Sequence, residues 1–459
     1  MSVLLAALCS YQVALAGDGT RLDVQARLPA GSGGVLSVAR GAVPFVVDVR
    51  VDGVPLQEHD GAWVAPSCRR GCRVSYRFDL SRAADAGDAA ERSGGLTESP
   101  PQGWLLRPEG ATRLSVRVAA PAPLGFAAGL PQRDGAFEIA SDDLPFAAPA
   151  VFGPMQLERI PLGAQTLQVA LAPQRGDGLP SRPRAALLRF ITAQARAVAD
   201  YFGRLPVDQT LLLVRTARGS GSHGRTLGGG GATVFWELGE EAPLGEGEWV
   251  LVHELVHTGF PDLQRVGQHW AEEGLSTYVE PVARARAGLL SPAKVWRDLV
   301  EGLPRGAPVA GGEGLDRSPT WGSTYWGGAL FWLLADLRIR EQTGGRRSLE
   351  DALRGLTAAG GTVAVRWTLL RALQVGDQAT GTRALEELYS SMGETAGPVD
   401  LPGLFRGLGV AALAEAGPGG NHRDAVPEGT DGDARAGEPG RFDDHARLAR
   451  LRAAITARR

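Results

Sequence analysis

The chain has 459 residues, enough for two or three domains that each bury a core. Hydrophobic residues make up 44% and charged residues 22%, as in ordinary globular proteins, and the formal net charge is −3. This balance excludes broad electrostatic attraction to nucleic acid or acidic membranes. No segment approaches the roughly 20 consecutive apolar residues of a membrane span, so we expect no transmembrane segment.

The N-terminal segment 1–16, MSVLLAALCSYQVALA, is apolar and ends in the small-x-small pattern Ala14-Leu15-Ala16. These features resemble a signal peptide cleaved before Gly17, although the Lys or Arg that usually begins such a segment is missing. We therefore expect export to a periplasmic or extracellular location. The alternative is a buried first strand, in which case a cytoplasmic location stays open.

Two cysteines, Cys68 and Cys72, lie close together in SCRRGCRV. With the predicted signal removed, the chain keeps only this pair. Such an even count fits a small disulfide loop in an oxidising compartment. A zinc site would need more ligands than the pair supplies. A local disulfide is the prediction, with two free thiols as the alternative.

The segment 17–178 is rich in predicted strands. Stretches such as VPFVVDVRVDGVPL and QTLQVALAP alternate apolar and polar residues, and Gly and Pro turns separate them. We predict a β-sandwich-like N-terminal domain.

From residue 179 the pattern changes to helical spacing, beginning with PRAALLRFITAQARAVADYFGRLP. A strand, QTLLLVRT, and a glycine-rich loop before the strand Ala232 to Leu238 indicate a small sheet. Five further helices are predicted around 246–259, 271–287, 291–302, 325–341 and 347–358. We assign 179–410 to a second domain. The remainder, 411–459, has the composition of a disordered linker and ends in a short amphipathic helix.

The stretch VLVHELVHTGF contains the motif His-Glu-x-x-His at His253, Glu254 and His257. Residues four apart on a helix point the same way, so the two histidines can reach one ion. Glu254 lies about 100° round the helix, where its carboxylate can take a proton from water. The apolar neighbours predict a buried helix. Burying these polar groups without a partner would be costly, and a metal ion removes that cost.

A catalytic zinc site needs a third protein ligand. The following helix, in WAEEGLSTYVE, offers Glu272 and Glu273, and His269 lies one turn earlier. A surface or substrate-facing position is the favoured interpretation of His269. Histidine and carboxylate ligands at this spacing favour a single Zn²⁺ ion, although they do not rule out another divalent metal.

HELVH followed by WAEEG resembles the gluzincin metallopeptidases, and most closely the glycyl aminopeptidase family, which is related to aminopeptidase N and thermolysin. Two more stretches carry the resemblance: STYWGGALFWLLADLRIREQTGG, and VFGPMQLERIPL together with DYFGRLP. The likeness covers roughly 140–410 and is strongest over 250–355.

The resemblance implies an α+β protein with a two-lobed, thermolysin-like catalytic domain over 179–410. It implies that Glu273 is the third zinc ligand and that Tyr325 hydrogen-bonds the oxyanion of the tetrahedral intermediate. A core aromatic at a helix start is the alternative for Tyr325. To orient the histidines, Asp262 or Glu280 are candidates, because Thr277 stands where thermolysin relatives have a carboxylate.

Two features depart from the family. Gly327 stands where a lysine is usual, and LGGGGATVFW lacks the glutamate that binds a free amino terminus in aminopeptidases. Exopeptidase and endopeptidase action therefore both stay open. The predicted substrate-binding residues, Gly229, Gly230, Gly231 and Ala232, suit close backbone approach by an extended peptide. A flexible surface loop is the alternative.

Together these residues predict a zinc-dependent peptidase. Glu254 is the expected general base, and a peptide or protein is the expected substrate. Two other functions share the same site. One is a catalytically weak scaffold that binds peptides or envelope partners, and the other is a zinc hydrolase of non-peptide amides or esters.

Overall fold

The computed structural model describes residues 8–111, 113–173, 183–308, 312–411 and 442–458. The described chain forms two compact units. The first contains the residues up to 173 together with Val207–Thr216 and Arg225–Glu237. The second contains 183–206, Ala217–Gly224 and the described residues from Leu238 onward. The chain therefore passes between the units several times.

Three β-sheets form most of the first unit. In chain order their strands are β1 (Leu8–Leu15), β2 (Leu22–Ala30), β3 (Val35–Ser37), β4 (Val46–Val51), β5 (Val54–Pro55), β6 (Glu58–His59), β7 (Ala62–Val64), β8 (Arg70–Phe78), β9 (Glu91–Ser93), β10 (Leu96–Ser99), β11 (Arg107–Pro108), β12 (Arg113–Ala119), β13 (Leu124–Ala127), β14 (Gln132–Arg133), β15 (Ala136–Ala140) and β16 (Ala150–Pro154). One sheet has eight strands in the order β14-β15-β12-β1-β2-β8-β4-β5. Two four-stranded sheets have the orders β13-β16-β10-β9 and β11-β3-β7-β6. Two short helices, α1 (Leu80–Ala86) and α2 (Pro101–Trp104), lie between strands.

Strand β1 bears on the two expectations for the N-terminal segment. It lies inside the eight-stranded sheet, antiparallel to β2 and parallel to β12. Cys9, Tyr11, Val13 and Leu15 are buried on one face. Cleavage before Gly17 would remove an interior strand, so residues 8–15 fit the alternative of a buried first strand. Residues 1–7 lie outside the described part of the chain.

The two neighbouring cysteines are joined. Cys68 and Cys72 form a disulfide, and both residues are buried. Cys68 lies in a 3-10 turn, Pro66–Arg69, directly before β8. The bond closes a tight loop at the start of that strand.

A five-stranded sheet follows, with strands β17 (Gln156–Leu162), β18 (Gln165–Leu171), β19 (Gln209–Ala217), β20 (Ser222–Leu227) and β21 (Ala232–Gly239). Its order is β17-β18-β19-β21-β20, which places β20 at one edge. Strands β18 and β19 are parallel. Such a pair needs a crossover connection, which contains helix α3 (Arg184–Phe202).

The second unit is mostly helical. After α3 its helices are α4 (Val250–His257), α5 (His269–Arg286), α6 (Pro292–Gly302), α7 (Gly328–Thr343), α8 (Leu349–Ala358), α9 (Leu369–Thr380), α10 (Ala384–Leu388), α11 (Leu401–Leu408) and α12 (Ala449–Thr456). Strands β22 (Asp262–Leu263) and β23 (Arg366–Trp367) form a small parallel pair. None of the described helices combines the length and apolarity needed to cross a membrane.

Helix α5 is the centre of this unit and packs against α3, α4 and α7. It is held there by buried polar contacts as well as by its apolar face. The Tyr278 hydroxyl donates to Asp336 on α7 (2.9 Å), and Asp336 also accepts from Arg340 Nε (2.8 Å). These buried hydrogen bonds tie α5 to α7.

The C-terminal helix α12 packs on the far end of α5. Arg286 Nε donates to the carbonyl of Ile455 (2.8 Å), and the Ile455 side chain is fully buried. The predicted linker falls mainly on 412–441, outside the described residues. The α+β fold class, with an N-terminal β domain before a helical domain, is confirmed.

Candidate metal centre

The histidines of the His-Glu-x-x-His motif lie one turn apart on α4. Their ring centroids are 5.0 Å apart, and both rings are largely shielded from solvent. Leu251, Val252 and Leu255 of the same helix are completely buried. The apolar residues thus hold α4 in the core and leave the histidine face turned toward α5.

Helix α5 brings Glu273 to this face. Its Oε2 atom is 3.1 Å from His253 Nε2 and 3.5 Å from His257 Nε2. One ligand atom from each residue lies within 4.8 Å of the other two. No other such group of three occurs among the described His, Cys, Asp and Glu residues.

The other two candidate ligands have different partners. Glu272 Oε1 accepts a hydrogen bond from the backbone amide of Leu263 (3.0 Å). Its Oε2 atom is 3.1 Å from Nδ1 of His269, a side chain that is 63% exposed. Of the three candidates in the sequence, Glu273 is the one that meets both histidines.

The spacing of these atoms fits a tetrahedral zinc ion. Ligand atoms about 2.0–2.1 Å from such an ion are roughly 3.3 Å apart, close to the two observed separations from Glu273. Two imidazole nitrogens and a carboxylate oxygen are also a common donor set of catalytic zinc. The residues present therefore fit this metal.

The three groups also perturb one another strongly. Burial raises the pKa of Glu273, but the two histidines outweigh it and hold the carboxyl pKa well below its usual range. Burial lowers the pKa of His257, but the Glu273 carboxylate outweighs it and raises the pKa to about 9. The cluster thus favours positive charge beside a fixed carboxylate, as a cation-binding site does.

Glu254 is buried beside the histidines and is overlaid by the first half of strand β20. A Cβ atom at Gly224 would lie 2.4 Å from Glu254 Cγ and 2.9 Å from Oε1. Only a glycine lets the strand approach the carboxylate so closely. The sequence analysis did not single out Gly224, and its only local signal was the surrounding glycine-rich stretch.

Tyr325 lies in a π-helical turn, Ser323–Gly327, directly before α7. Its ring stacks with that of His253, with centroids 6.3 Å apart, and with that of Trp321, with centroids 5.3 Å apart. Burial raises the pKa of Tyr325, and the charges of Glu273 and Glu254 raise it further. The phenol therefore keeps its proton and can donate it in a hydrogen bond. π-turns occur frequently at functional sites.

A crossing of two glycines brings Glu273 and Tyr325 together. A Cβ at Gly274 would lie 2.3 Å from Gly328 Cα, so α5 and α7 touch through their backbones. Gly274 directly follows Glu273. A separate close contact explains Gly327, where the resemblance leads one to expect lysine: a Cβ there would lie 2.7 Å from the Gly306 carbonyl oxygen.

The glycines assigned to substrate binding pack tightly inside the first unit. A Cβ at Gly229 would lie 2.3 Å from the backbone of Phe146, and one at Gly231 only 1.7 Å from the Gly129 carbonyl oxygen. The amide of Ala232 donates to the same oxygen (2.7 Å). The backbone of this loop is thus closely approached by neighbouring segments of the same chain.

The two candidates for orienting the histidines have contacts with arginines. Asp262 Oδ2 lies 3.2 Å from Arg366 Nε, and Glu280 accepts from the buried Arg284 (2.6 Å). Arg284 also donates to the carbonyl of Glu246 (2.7 Å), which fixes α5 to the segment before α4. Glu280 is thus part of the contact that holds α5, whereas Asp262 pairs across the short strands β22 and β23.

No protein-family model and no curated protein sequence matches the chain. Solved structures do. An aminopeptidase N family protein from Idiomarina loihiensis matches at TM-score 0.63 and 15% identity, over 87% of this chain and 78% of that one. An M1 zinc metallopeptidase from Deinococcus radiodurans matches at TM-score 0.51 and 19% identity, over 85% and 94%. A variant of the Deinococcus enzyme bound to a Tyr-Ser-Ala substrate matches at 0.52 and 17%, over 86% and 95%. At these identities the comparisons establish the fold, and the chain has the fold of the M1 zinc metallopeptidases.

Proposed function

We propose that the chain is a zinc-dependent peptidase. The observation that carries the proposal is the convergence of His253, His257 and Glu273, with Glu254 and Tyr325 beside them. The fold of M1 zinc metallopeptidases supports it. A scaffold without catalytic function would need neither the shielded carboxylate of Glu254 as a proton acceptor nor the phenol of Tyr325 as a donor beside the metal ligands.

His253, His257 and Glu273 would hold the metal. When bound, zinc acts as a Lewis acid on the scissile carbonyl and makes water a better nucleophile at neutral pH. Glu254 accepts a proton from the attacking water and passes it to the leaving amine. Tyr325 donates a hydrogen bond to the oxyanion of the tetrahedral intermediate. This division of labour supports the proposal that the chain is a gluzincin peptidase.

A peptide is the proposed substrate class. The Deinococcus protein binds a Tyr-Ser-Ala substrate. The resemblance of this chain to the glycyl aminopeptidase family also supports a peptide substrate. Any substrate contact of Gly229–Ala232 would be made by backbone groups, because tight packing leaves no room for side chains at Gly229 and Gly231.

We propose an oxidising compartment for the folded protein. The Cys68–Cys72 disulfide supports this location, since such bonds persist outside the reducing cytosol. The proposal does not depend on cleavage before Gly17.

Metal analysis and a peptide-library assay test the function. The purified protein should contain about one zinc per chain and cleave peptides. In Glu254→Gln, kcat should fall by about 10²- to 10⁴-fold while zinc is retained. The matched control is Glu341→Gln, an exposed carboxylate on α7, which should leave both unchanged.

The outcomes separate the alternatives. Zinc binding with peptide binding but no cleavage would identify a scaffold. Cleavage confined to non-peptide amides or esters would identify the third function. A protein that binds no divalent metal at all would refute every version of the site.

A further inference from the structure

A short 3-10 helix, Leu315–Arg317, lies at a junction of the second unit. It contacts three segments: the turn Val266–Gln268 that leads into α5, the π-turn that carries Tyr325, and a second π-turn, Tyr389–Gly393. The mechanism proposed above uses no side chain of this 3-10 helix.

Asp316 is the common hydrogen-bond acceptor of the junction. Its Oδ1 atom accepts from Trp270 Nε1 (2.9 Å). Its Oδ2 atom accepts from the Tyr389 hydroxyl (2.7 Å) and from Gln268 Nε2 (3.1 Å). Gln268 Nε2 also lies 2.9 Å from the Tyr389 hydroxyl oxygen, which closes the network. Three donors on one partly shielded carboxylate make a rigid joint, because hydrogen bonds to a charged group are stronger than neutral ones.

The joint has a direct path to both halves of the site. Trp270 lies three residues before Glu273, so the two side chains share a turn of α5. On the other side, Leu315 contacts Gly327: a Cβ at Gly327 would lie 2.8 Å from Leu315 Cδ2. Gly327 belongs to the π-turn of Tyr325. The same three-residue helix is thus bonded to the start of α5 and packed against the turn before α7.

We propose that Asp316 is a positioning residue for the metal centre. It fixes the first turn of α5, and with it the Glu273 carboxylate, relative to the segment that carries Tyr325. The inference rests on the proposed function for its metal, and it assigns a role to a residue that touches neither metal nor substrate.

Asp316→Asn tests the role. An amide accepts hydrogen bonds at one end only, so one side of the joint loses its acceptor while the side-chain volume is kept. The Kd for zinc, measured by chelator competition, should rise about tenfold, as for other residues that orient metal ligands. Backbone amides in the first turn of α5 should exchange hydrogen faster in the metal-free protein.

Asp377→Asn is the matched control. Asp377 is buried in the same unit and accepts from the amides of Leu385 and Glu386, both at 3.0 Å. Its replacement should lower the Tm with an unchanged Kd for zinc. If Asp316→Asn leaves the Kd at the wild-type value, or if both variants raise it in proportion to their loss of Tm, Asp316 is merely structural and the inference is wrong.

Trp270→Phe offers a milder test should Asp316→Asn fold poorly. It removes only the indole donor, and the Kd for zinc should rise in the same direction by a smaller factor. The double variant should cost no more zinc affinity than Asp316→Asn alone, because both changes break one joint. Fully additive effects would contradict the joint.

Failure of the proposed function would look different. A wild-type protein that binds zinc but cleaves nothing leaves the Kd measurements intact. A wild-type protein that binds no zinc refutes the proposed function, and hydrogen exchange in α5 then decides alone whether Asp316 fixes that turn.

Discussion

At the scale of single residues, the hydroxyl of Tyr325 is separable from its ring. The ring stacks with His253 and Trp321, whereas the hydroxyl is the hydrogen-bond donor. In Tyr325→Phe we expect kcat to fall about 100-fold, because a donor to the oxyanion acts mainly in the transition state. KM and zinc content should stay close to wild type. Steady-state kinetics would contradict the role if kcat were unchanged.

Gly224 gives a second prediction at this scale. A methyl group there would meet the middle of the Glu254 side chain, so Gly224→Ala should displace the carboxylate. Misplacement of a catalytic group by about 1 Å costs up to 100-fold, and we expect a kcat loss of about 10- to 100-fold with zinc retained. Gly245→Ala, at a position with open space around it, is the control. Equal kinetics for the two variants would contradict the contact.

Some of these residues could be predicted from the sequence and others could not. His253, Glu254 and His257 depend only on helical spacing, which is local. Glu273 needed the resemblance, because the residues alone left Glu272 and His269 open. Gly224 and Asp316 act through segments that come together only in the folded chain, so no local pattern marks them.

At the scale of elements, the site depends on how closely α5 and α7 cross. Gly274→Ala would place a methyl group 2.3 Å from Gly328 Cα and force the helices apart. We expect the free energy of unfolding to fall by about 1–3 kcal/mol, the usual cost of overpacking. Zinc affinity should fall with it, because Glu273 moves with its helix.

The measurement is denaturant unfolding together with zinc competition, with Gly247→Ala as the control in open space. If Gly274→Ala were as stable as the control, the close crossing would be wrong.

Predicted helix positions in this region agreed well with the structure, but the π-turn at Tyr325 was not predicted. Gly322 and Gly327, at the two ends of this turn, lie close to the carbonyl oxygens of Arg305 and Gly306, contacts that no local pattern marks.

At the scale of the whole molecule, strand β1 is the element that sequence interpretation assigned differently. Its apolar residues alternate with Ser10 and Gln12, a period-2 pattern that a uniformly apolar signal segment does not need. The small residues at its end matched a cleavage pattern equally well, and only the sheet shows that residues 8–15 pair on both sides.

Deletion of residues 1–16 should therefore abolish folding of the β domain. Deletion of residues 1–7 is the control, because it leaves β1 intact. We expect the shorter deletion to give soluble protein with a cooperative unfolding transition, and the longer one to give aggregates. A well-folded product of the longer deletion, judged by thermal unfolding, would show that β1 is dispensable.

The neighbours of β1 also constrain how the chain is made. Leu8 pairs with Arg113, so β1 is bonded on one side to a strand synthesised about 100 residues later. Until then β1 and β2 can pair with each other, but the outer edge of β1 stays open. An open strand edge is a template for aggregation. We expect nascent chains that end before β12 to need chaperone protection. The edge of β1 can be fully paired only once Ala119 has left the ribosome.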